Sequence, residues 1–391
     1  MTFKKIIGKL HLWLGFSSGL LVLFLGLTGC ILAFQREIED MTQPYRFVEQ
    51  QESVKLPPSR LKAIADEQVP GKHAHGVSYA NGMSAQVSYF RLEAPAYYYI
   101  VYLDPYNGEV LKVKDMDQDF FRFMIMGHYY LWLPAHIGQP ILATATLVFV
   151  VMMLTGLVLW WPKNKAARRQ RFGIKWGARW RRVNYDAHNV LGFYMTWVAI
   201  FIGMTGLVMG FQWFAKSVYW AAAGGKQLVE FYEPASDTTA SIPDITIPAM
   251  DRIWMKKYPE IVGTKARMEV HVPEEKASSI EVAINPDPST YWKADFIYYD
   301  QYTLEEIPVT HPYGRFAEAS VADKIMRMNY DIHVGAIGGI VGKVIAFFAS
   351  LIAASLPVTG AMIWWGRRKK QNKSGTQSPV KKAAPIAVQA E

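Results

Sequence analysis

The chain has 391 residues, 51% of them hydrophobic and 14% aromatic, and its formal net charge is +9. Nine basic residues and no acidic one lie between Lys163 and Arg182, beside long apolar runs. Basic residues in that position are typical of the cytoplasmic ends of membrane helices and argue against nucleic-acid binding. The one cysteine, Cys30, excludes an intrachain disulfide.

Four apolar runs are long enough to cross a membrane, because about 20 mostly apolar residues span the hydrocarbon core. They predict transmembrane helices over residues 12–34, 141–161, 190–213 and 334–365. Tryptophan pairs end the second and fourth runs just before basic residues, as interfacial anchors do. The basic clusters predict a multi-pass membrane protein with both termini in the cytoplasm and two long segments outside.

These spans divide the chain into eight predicted segments. They are a first transmembrane helix (1–34), a first outside module (35–127), a second transmembrane helix with an outer histidine segment (128–161), a basic cytoplasmic loop (162–187), a third transmembrane helix (188–213), a second outside module (214–330), a fourth transmembrane helix (331–366) and a disordered cytoplasmic tail (367–391). The first run also has the form of a lipoprotein signal cleaved before Cys30. Its length and its match with the third run favour a retained helix.

The two halves of the chain repeat the same spacings, because four histidines each stand ahead of a Thr-Gly pair. The distance is seventeen residues in the first and third spans, and 27 and 26 residues in the second and fourth. The pairs are His11 with Thr28, His188 with Thr205, His128 with Thr155, and His333 with Thr359. The repeat predicts a duplicated unit of helix, outside module and helix, and therefore a duplicated four-helix transmembrane bundle.

Each outside segment contains a short helical stretch followed by alternating, strand-like residues. The helical stretches are 59–68 and 248–258, and the strand regions are 85–91 and 99–112 in the first half and 279–285 and 297–307 in the second. The first half carries an Asn107-Gly108 turn of the kind that joins hairpin strands, and the second half lacks the glycine. Two small α+β modules are predicted.

The four repeated histidines fall at matched ends of the spans. His11 and His188 begin two helices on the cytoplasmic side, and His128 and His333 precede the other two on the outer side. Two imidazoles at one depth can ligate one metal ion or one haem, and a helical bundle builds such sites from facing side chains. The alternative is a purely structural role, in which these histidines only form hydrogen bonds between helices.

His136 competes with His128 for the outer position, because it lies closer to the uninterrupted apolar run. The repeat favours His128, and His136 is kept as the second candidate. Four further histidines lie in the outside segments and are expected to be solvated rather than ligands. These are His73, His75, His271 and His311.

With these residues assembled, the sequence resembles the PepSY-associated transmembrane helix family, and within it the inner-membrane ferric-siderophore reductases of Gram-negative bacteria. The resemblance covers nearly the whole chain up to Lys370. It rests on the His-x-x-x-Gly motifs of the first and third spans, the Asp104-Pro-Tyr-Asn-Gly-Glu turn, and the Thr-Gly motifs that precede Trp160 and Trp364.

The resemblance implies a bacterial inner-membrane protein with two periplasmic PepSY-like modules. It also implies two b-type haems ligated by His11, His188, His128 and His333, and reduction of iron(III) held by a siderophore. No catalytic residue carries over. The family's basic and aromatic outer surface has only loose counterparts in Arg315 and Arg327.

The expected function is transmembrane electron transfer that reduces a periplasmic ferric siderophore and releases iron(II). The chain has no Gly-x-Gly-x-x-Gly motif after a strand, so the electron donor is expected to be a separate flavoprotein, a small reductant or a membrane quinol. The basic loop is expected to contact membrane lipid. The alternatives are a histidine-based metal transporter and a non-catalytic PepSY scaffold or peptidase-modulating protein.

Overall fold

The computed structural model describes residues 2–93, 95–162, 164–240 and 246–375. The helices are α1 (Phe3–Ala33), α2 (Gln35–Thr42), α3 (Pro58–Gln68), α4 (Phe120–Tyr130), α5 (Ala135–Trp160), α6 (Lys165–Arg171), α7 (Trp180–Gly210), α8 (Gln212–Ala222), α9 (Ala249–Lys257), α10 (Val321–His333) and α11 (Gly339–Gly375), with short 3-10 turns at Pro44–Arg46, Met116–Gln118, Tyr258–Glu260 and Ala336–Gly338. The strands are β1 (Gly76–Ala80), β2 (Ala85–Arg91), β3 (Tyr97–Leu103), β4 (Val110–Asp115), β5 (Arg267–His271), β6 (Ile280–Asn285), β7 (Asp295–Tyr299) and β8 (Glu306–Ile307).

Four helices are long and apolar enough to cross a membrane, and each overlaps one of the four predicted spans, with ends that differ by one to three residues where the prediction runs past the helix. They cover Phe3–Ala33, Ala135–Trp160, Trp180–Gly210 and Ala336–Arg368. The last helix continues to Gly375, past the predicted end at residue 366, and no proline interrupts the added residues. Lys163 of the basic loop and residues 376–391 of the predicted tail lie outside the described residues.

The four long helices pack as a bundle in which α1 and α7 each contact both α5 and α11. Small residues bring the backbones together at matched points of the two halves. A Cβ at Gly26 would lie 2.7 Å from the carbonyl oxygen of Ser350, and one at Gly203 would lie 2.9 Å from Val150. Close contacts of this kind replace hydrophobic burial as the source of helix association in lipid.

The two long segments that connect α1 to α5 and α7 to α11 form one antiparallel sheet of eight strands, in the order β4-β3-β2-β1-β5-β6-β7-β8. Each half contributes four neighbouring strands, and β1 pairs with β5 along their whole length, with Val77 opposite Val270. The expectation of two separate modules did not include this joint. An unpaired strand edge exposes main-chain donors and acceptors, and pairing two such edges satisfies both.

One face of the sheet carries the core of this region. Alternate residues such as Tyr79, Leu103 and Met268 are fully buried there, beneath α3 and α9. The opposite face is polar and aromatic, and there Tyr102 packs on Tyr45 of the Pro44–Arg46 turn with ring centres 4.8 Å apart. The side of the bundle that adjoins the sheet is called the sheet side below, and the other end the far side.

The hairpin turn is the same in both halves although only one has the glycine. The amide of Gly108 donates to the Asp104 carbonyl and that of Leu304 donates to the Asp300 carbonyl, each at 2.9 Å. Both residues have positive φ, 82° at Gly108 and 61° at Leu304. A non-glycine residue in this conformation costs roughly 1–2 kcal/mol, and the surrounding strands hold Leu304 in it.

A second matched feature is the fold-back of a short helix against a long one. A Cβ at Gly138 of α5 would lie 1.8 Å from the carbonyl oxygen of Tyr130, and one at Gly342 of α11 would lie 2.2 Å from that of Gly335. Both glycines stand seventeen residues before the Thr-Gly pair of their helix. The missing side chain therefore sets the entry angle of each spanning helix.

We expect Gly138→Ala to destabilise the folded protein by about 1–3 kcal/mol or more, because the new methyl group overlaps main-chain atoms that cannot rotate away. The measurement is the unfolding midpoint of the detergent-purified protein. Gly338→Ala is the matched control, since nothing lies within 4 Å of a Cβ there. Equal stability of the two variants would contradict this account of the fold-back.

Candidate functional site

The four repeated histidines lie in two pairs at the two ends of the bundle. The sheet-side pair is His128 at the end of α4 and His333 at the end of α10, with ring centres 6.2 Å apart and an angle of 68° between the rings. The far-side pair is His11 on α1 and His188 on α7, which line one cavity. The two pairs are joined along α1, because Thr28 at its sheet end contacts His128.

Each of the four imidazoles contacts the threonine of a Thr-Gly pair on a neighbouring helix. The Nδ1 to Oγ1 distances are 2.8 Å for His11 with Thr155, 2.8 Å for His128 with Thr28, 2.8 Å for His188 with Thr359 and 3.1 Å for His333 with Thr205. The sequence marked these threonines only as spacers of the repeat. Their partners lie on other helices, so spacing along the chain could not identify the contact.

The direction of these bonds follows from counting protons. A threonine hydroxyl has one proton, and each of the four donates it to a carbonyl three or four residues earlier in its own helix. The oxygen therefore accepts from the imidazole. The Ile202 carbonyl, 3.1 Å from His333 Nδ1, can only accept, which requires the same tautomer.

With Nδ1 protonated, the lone pair of each imidazole is on Nε2. This is the nitrogen that a metal ion would bind, and a fixed hydrogen bond at the other nitrogen is the usual way in which a protein orients a ligand histidine. The arrangement can therefore present two neutral nitrogen ligands at each end of the bundle.

The glycine of each Thr-Gly pair leaves space beside the same ring. A Cβ at Gly29, Gly156, Gly206 or Gly360 would lie 3.6, 3.5, 3.4 or 3.3 Å, respectively, from Cε1 of His128, His11, His333 or His188. A methyl group at any of these positions would be in contact with the ring. The Thr-Gly pair thus forms the binding position for the histidine of the neighbouring helix.

Both pairs face internal cavities between the long helices. The far-side cavity has a volume of about 500 Å³ and includes Gly15 and Gly192, the glycines of the two His-x-x-x-Gly motifs. The sheet-side cavity is smaller, about 180 Å³, and contains His128 and His333 in its wall. The far-side volume lies within the roughly 300–1,000 Å³ of ordinary ligand sites.

Comparison with known families gives a match over nearly the whole chain. The family described as the PepSY-associated TM region matches residues 9–367. The chain belongs to this family. No curated protein matches it significantly.

This PepSY-associated protein has an additional contact in its second half. Asn184 and Asn329, each four residues before a site histidine, donate from Nδ2 to the carbonyl oxygens of Thr359 and Thr205 at 3.1 and 3.2 Å. The equivalent positions in the first half are apolar, Ile7 and Met124. In the second half, therefore, each helix that carries a site histidine is bound to the helix of its threonine by two side chains, the histidine and the asparagine. In the first half only the histidine makes this contact.

His136, the second candidate for the outer position, lies at the start of α5 with its side chain exposed. It lines neither cavity.

The two arginines considered for the outer surface are paired within the protein. Arg327 is buried and donates to three carbonyl oxygens, and Arg315 forms a bidentate ion pair with Glu306.

Three of the four histidines in the sheet region are less solvated than expected. His311 is buried, and the ring of His75, the residue before β1, packs against that of His271 at the end of β5 with ring centres 4.4 Å apart. Glu269 lies beside them, next to Gly76. Burial and the adjacent imidazole of His271 lower the pKa of His75 to about 4. No group of three or more metal-binding side chains occurs among the described residues.

This low pKa makes the centre of the sheet sensitive to acid. The unfolded chain gains a proton near the ordinary histidine pKa of about 6.5, whereas folded His75 gains it only near pH 4. Stability is therefore lost as the pH falls through this window. We expect His75→Gln to reduce the loss of hydrogen-exchange protection in β1 and β5 between pH 7 and pH 4.5.

The exposed His73 supplies the comparison, because it is the smallest of the causes that lower the pKa of His75 and His73→Gln should therefore change that pH dependence much less. Wild-type acid sensitivity in His75→Gln would show that other groups cause it.

Proposed function

We propose that the protein transfers electrons across the bacterial inner membrane through two b-type haems and reduces a ferric siderophore on the periplasmic side. The supporting observation is the set of four imidazoles, each fixed through Nδ1 by a threonine and each with Nε2 available. A duplicated membrane bundle, with the sheet in the periplasm and both termini in the cytoplasm, is part of this proposal.

The sheet-side imidazoles are close enough that both could bind one iron. A metal–imidazole bond is about 2.0 Å long, so two imidazoles that share one metal ion must lie within a few ångströms of each other. The observed distance between the ring centres is 6.2 Å. His128 and His333 would hold one haem, and His11 and His188 would hold the other in the larger cavity.

A haem held by two histidines would supply one-electron transfer. The chain's own residues provide the rest. The threonines orient the ligand histidines through Nδ1, the glycines leave space for the rings, and the walls of the cavities are largely apolar.

The two pairs lie far enough apart to serve opposite faces of the membrane. Thr28, which holds His128, is seventeen residues beyond His11, and this corresponds to about 25 Å of helix. The hydrocarbon core is about 30 Å thick. A donor could therefore reach the far-side pair from the cytoplasm while an acceptor approaches the sheet-side pair from the periplasm.

The siderophore is proposed from the family resemblance, and the chemistry is a one-electron step. The donor loses one electron, the chelated iron(III) gains it, and the resulting iron(II) is held less strongly by oxygen ligands and can leave. The donor is proposed to be a separate flavoprotein, a small reductant or a quinol. The described far-side residues form only the short helix α6 and its loops beyond the bundle.

Absorption spectroscopy provides the direct test. The purified protein should be red, should show sharp α-bands on reduction, and should yield about two haems per chain as the pyridine haemochrome. His333→Ala should lose one haem and keep the other, because each pair serves its own iron. His136→Ala is the matched control and should keep both.

A folded but colourless wild-type protein would contradict the electron-transfer proposal and favour a non-catalytic scaffold. Loss of one haem from His136→Ala would instead reassign the sheet-side ligand.

The threonines give a finer test. Thr28→Val removes the acceptor for His128 Nδ1, and an unsatisfied buried donor costs about 1–3 kcal/mol. We expect the affinity for the sheet-side haem to fall about 10–100-fold, as it does when other residues that orient a metal ligand are replaced. The measurement is the rate of haem transfer to an excess of apomyoglobin.

Thr28→Ser should restore the wild-type rate. Thr146→Val is the isosteric control, because the Thr146 hydroxyl lines the same cavity but donates only to the Leu142 carbonyl. If Thr146→Val loses haem as fast as Thr28→Val, the effect is general packing and not the imidazole bond.

A further inference from the structure

Three basic residues lie along the wall of the far-side cavity, at its end away from the sheet. They come from three separate elements: Lys4 from α1, Arg171 from α6 and Arg367 from α11. None of the described residues that line this cavity is acidic. The remaining wall is mainly apolar and aromatic. The cavity thus suits a flat apolar ligand with anionic groups at one edge.

Contacts with neighbouring helices fix two of these cations. Lys4 Nζ donates to the carbonyl oxygen of Trp161 at 2.9 Å, and Arg171 Nη1 donates to Asn189 Oδ1 at 3.1 Å. The main chain of Arg171 is also held, because Trp160 Nε1 donates to its carbonyl at 3.3 Å. The basic loop is therefore folded back over the cavity rather than extended into the cytoplasm.

A stack of aromatic rings beneath this loop also holds the loop over the cavity. Trp160 stacks on Phe193 with ring centres 3.8 Å apart, and Phe172, the residue after Arg171, packs edge-on against Trp160 at 5.1 Å. An arginine carries five N–H donors in a planar fork that matches a carboxylate. A guanidinium held in this way can bind an anion that enters between α1 and α7.

We propose that Lys4, Arg171 and Arg367 form a carboxylate-binding rim that holds the propionate groups of the porphyrin ligated by His11 and His188. This inference rests on the proposed function, since it assigns the orientation of one of its two haems. The rim places the propionates toward the cytoplasm and leaves the vinyl edge among the apolar side chains.

The sheet-side cavity has no equivalent. Its described lining contains no lysine or arginine, and its polar side chains are neutral, including Gln35, Gln139, Tyr129 and Tyr330. The two sites therefore differ in charge although their histidines match. Cations favour the ferrous state, which carries one negative charge more than the ferric state, so the rim raises the midpoint potential of the far-side haem alone.

The test is a redox titration of the full-length holoprotein, followed at the α-bands. Arg367→Gln and Arg171→Gln should each lower the midpoint potential of one haem and leave the other unchanged. Lys5→Gln is the control, because Lys5 has the same charge on the same surface of the protein but is exposed and outside the cavity. Both of its potentials should equal those of the wild type.

A second measurement separates carboxylate recognition from a general loss of charge. The full chain, produced without haem, is reconstituted with haem or with its dimethyl ester, which lacks the propionate charges. Wild-type protein should bind haem more tightly than the ester at one site. The double variant Arg171→Gln, Arg367→Gln should lose about tenfold or more of that preference, since bidentate charged pairs are among the stronger hydrogen bonds.

The outcomes are distinct. Unchanged potentials and an unchanged preference in variants that still bind two haems would overturn the rim and assign these cations to another anion, such as a lipid phosphate. The proposed function would survive that result. A wild-type protein that binds no haem would overturn both.

Discussion

The bond from an imidazole Nδ1–H to a threonine hydroxyl on the next helix determines the rest of this structure. It occurs four times and joins α1 to α5, α4 to α1, α7 to α11 and α10 to α7. A buried donor without an acceptor is costly, so each bond holds two helices in one register. The same bond fixes the tautomer, and therefore helix packing and the availability of Nε2 are set together.

The repeat is preserved in contacts rather than in residue identity. Gly15 packs against Met152 and Gly192 against Leu356 at the same point of the two halves. Elsewhere the two halves differ in sequence and have the same geometry. Leu304 adopts the positive φ of its glycine counterpart, and asparagines reinforce only the second-half histidines. Packing constrains the shape of each position more strongly than its chemical type.

Sequence patterns predicted what is local and missed what depends on neighbours in space. The spans were confirmed, because hydropathy over about 20 residues is a property of one segment. The joint between β1 and β5 was missed, since any two exposed edges can pair and the choice depends on the whole domain. Arg327 was interpreted as a surface residue for the same reason, although three carbonyl oxygens enclose it. The threonine partners required knowledge of which helices are adjacent.

The two histidine pairs depend on the sheet to different extents, because they lie on different kinds of helix. His11 and His188 lie within spanning helices, whereas His128 and His333 end the short helices α4 and α10. Asp331, two residues before His333, is fully buried and accepts from the amides of Tyr291 and Trp292 in the loop between β6 and β7. The sheet therefore positions one histidine of the sheet-side pair directly. The far-side pair, by contrast, is held by the bundle itself, through bonds from α1 to α5 and from α7 to α11.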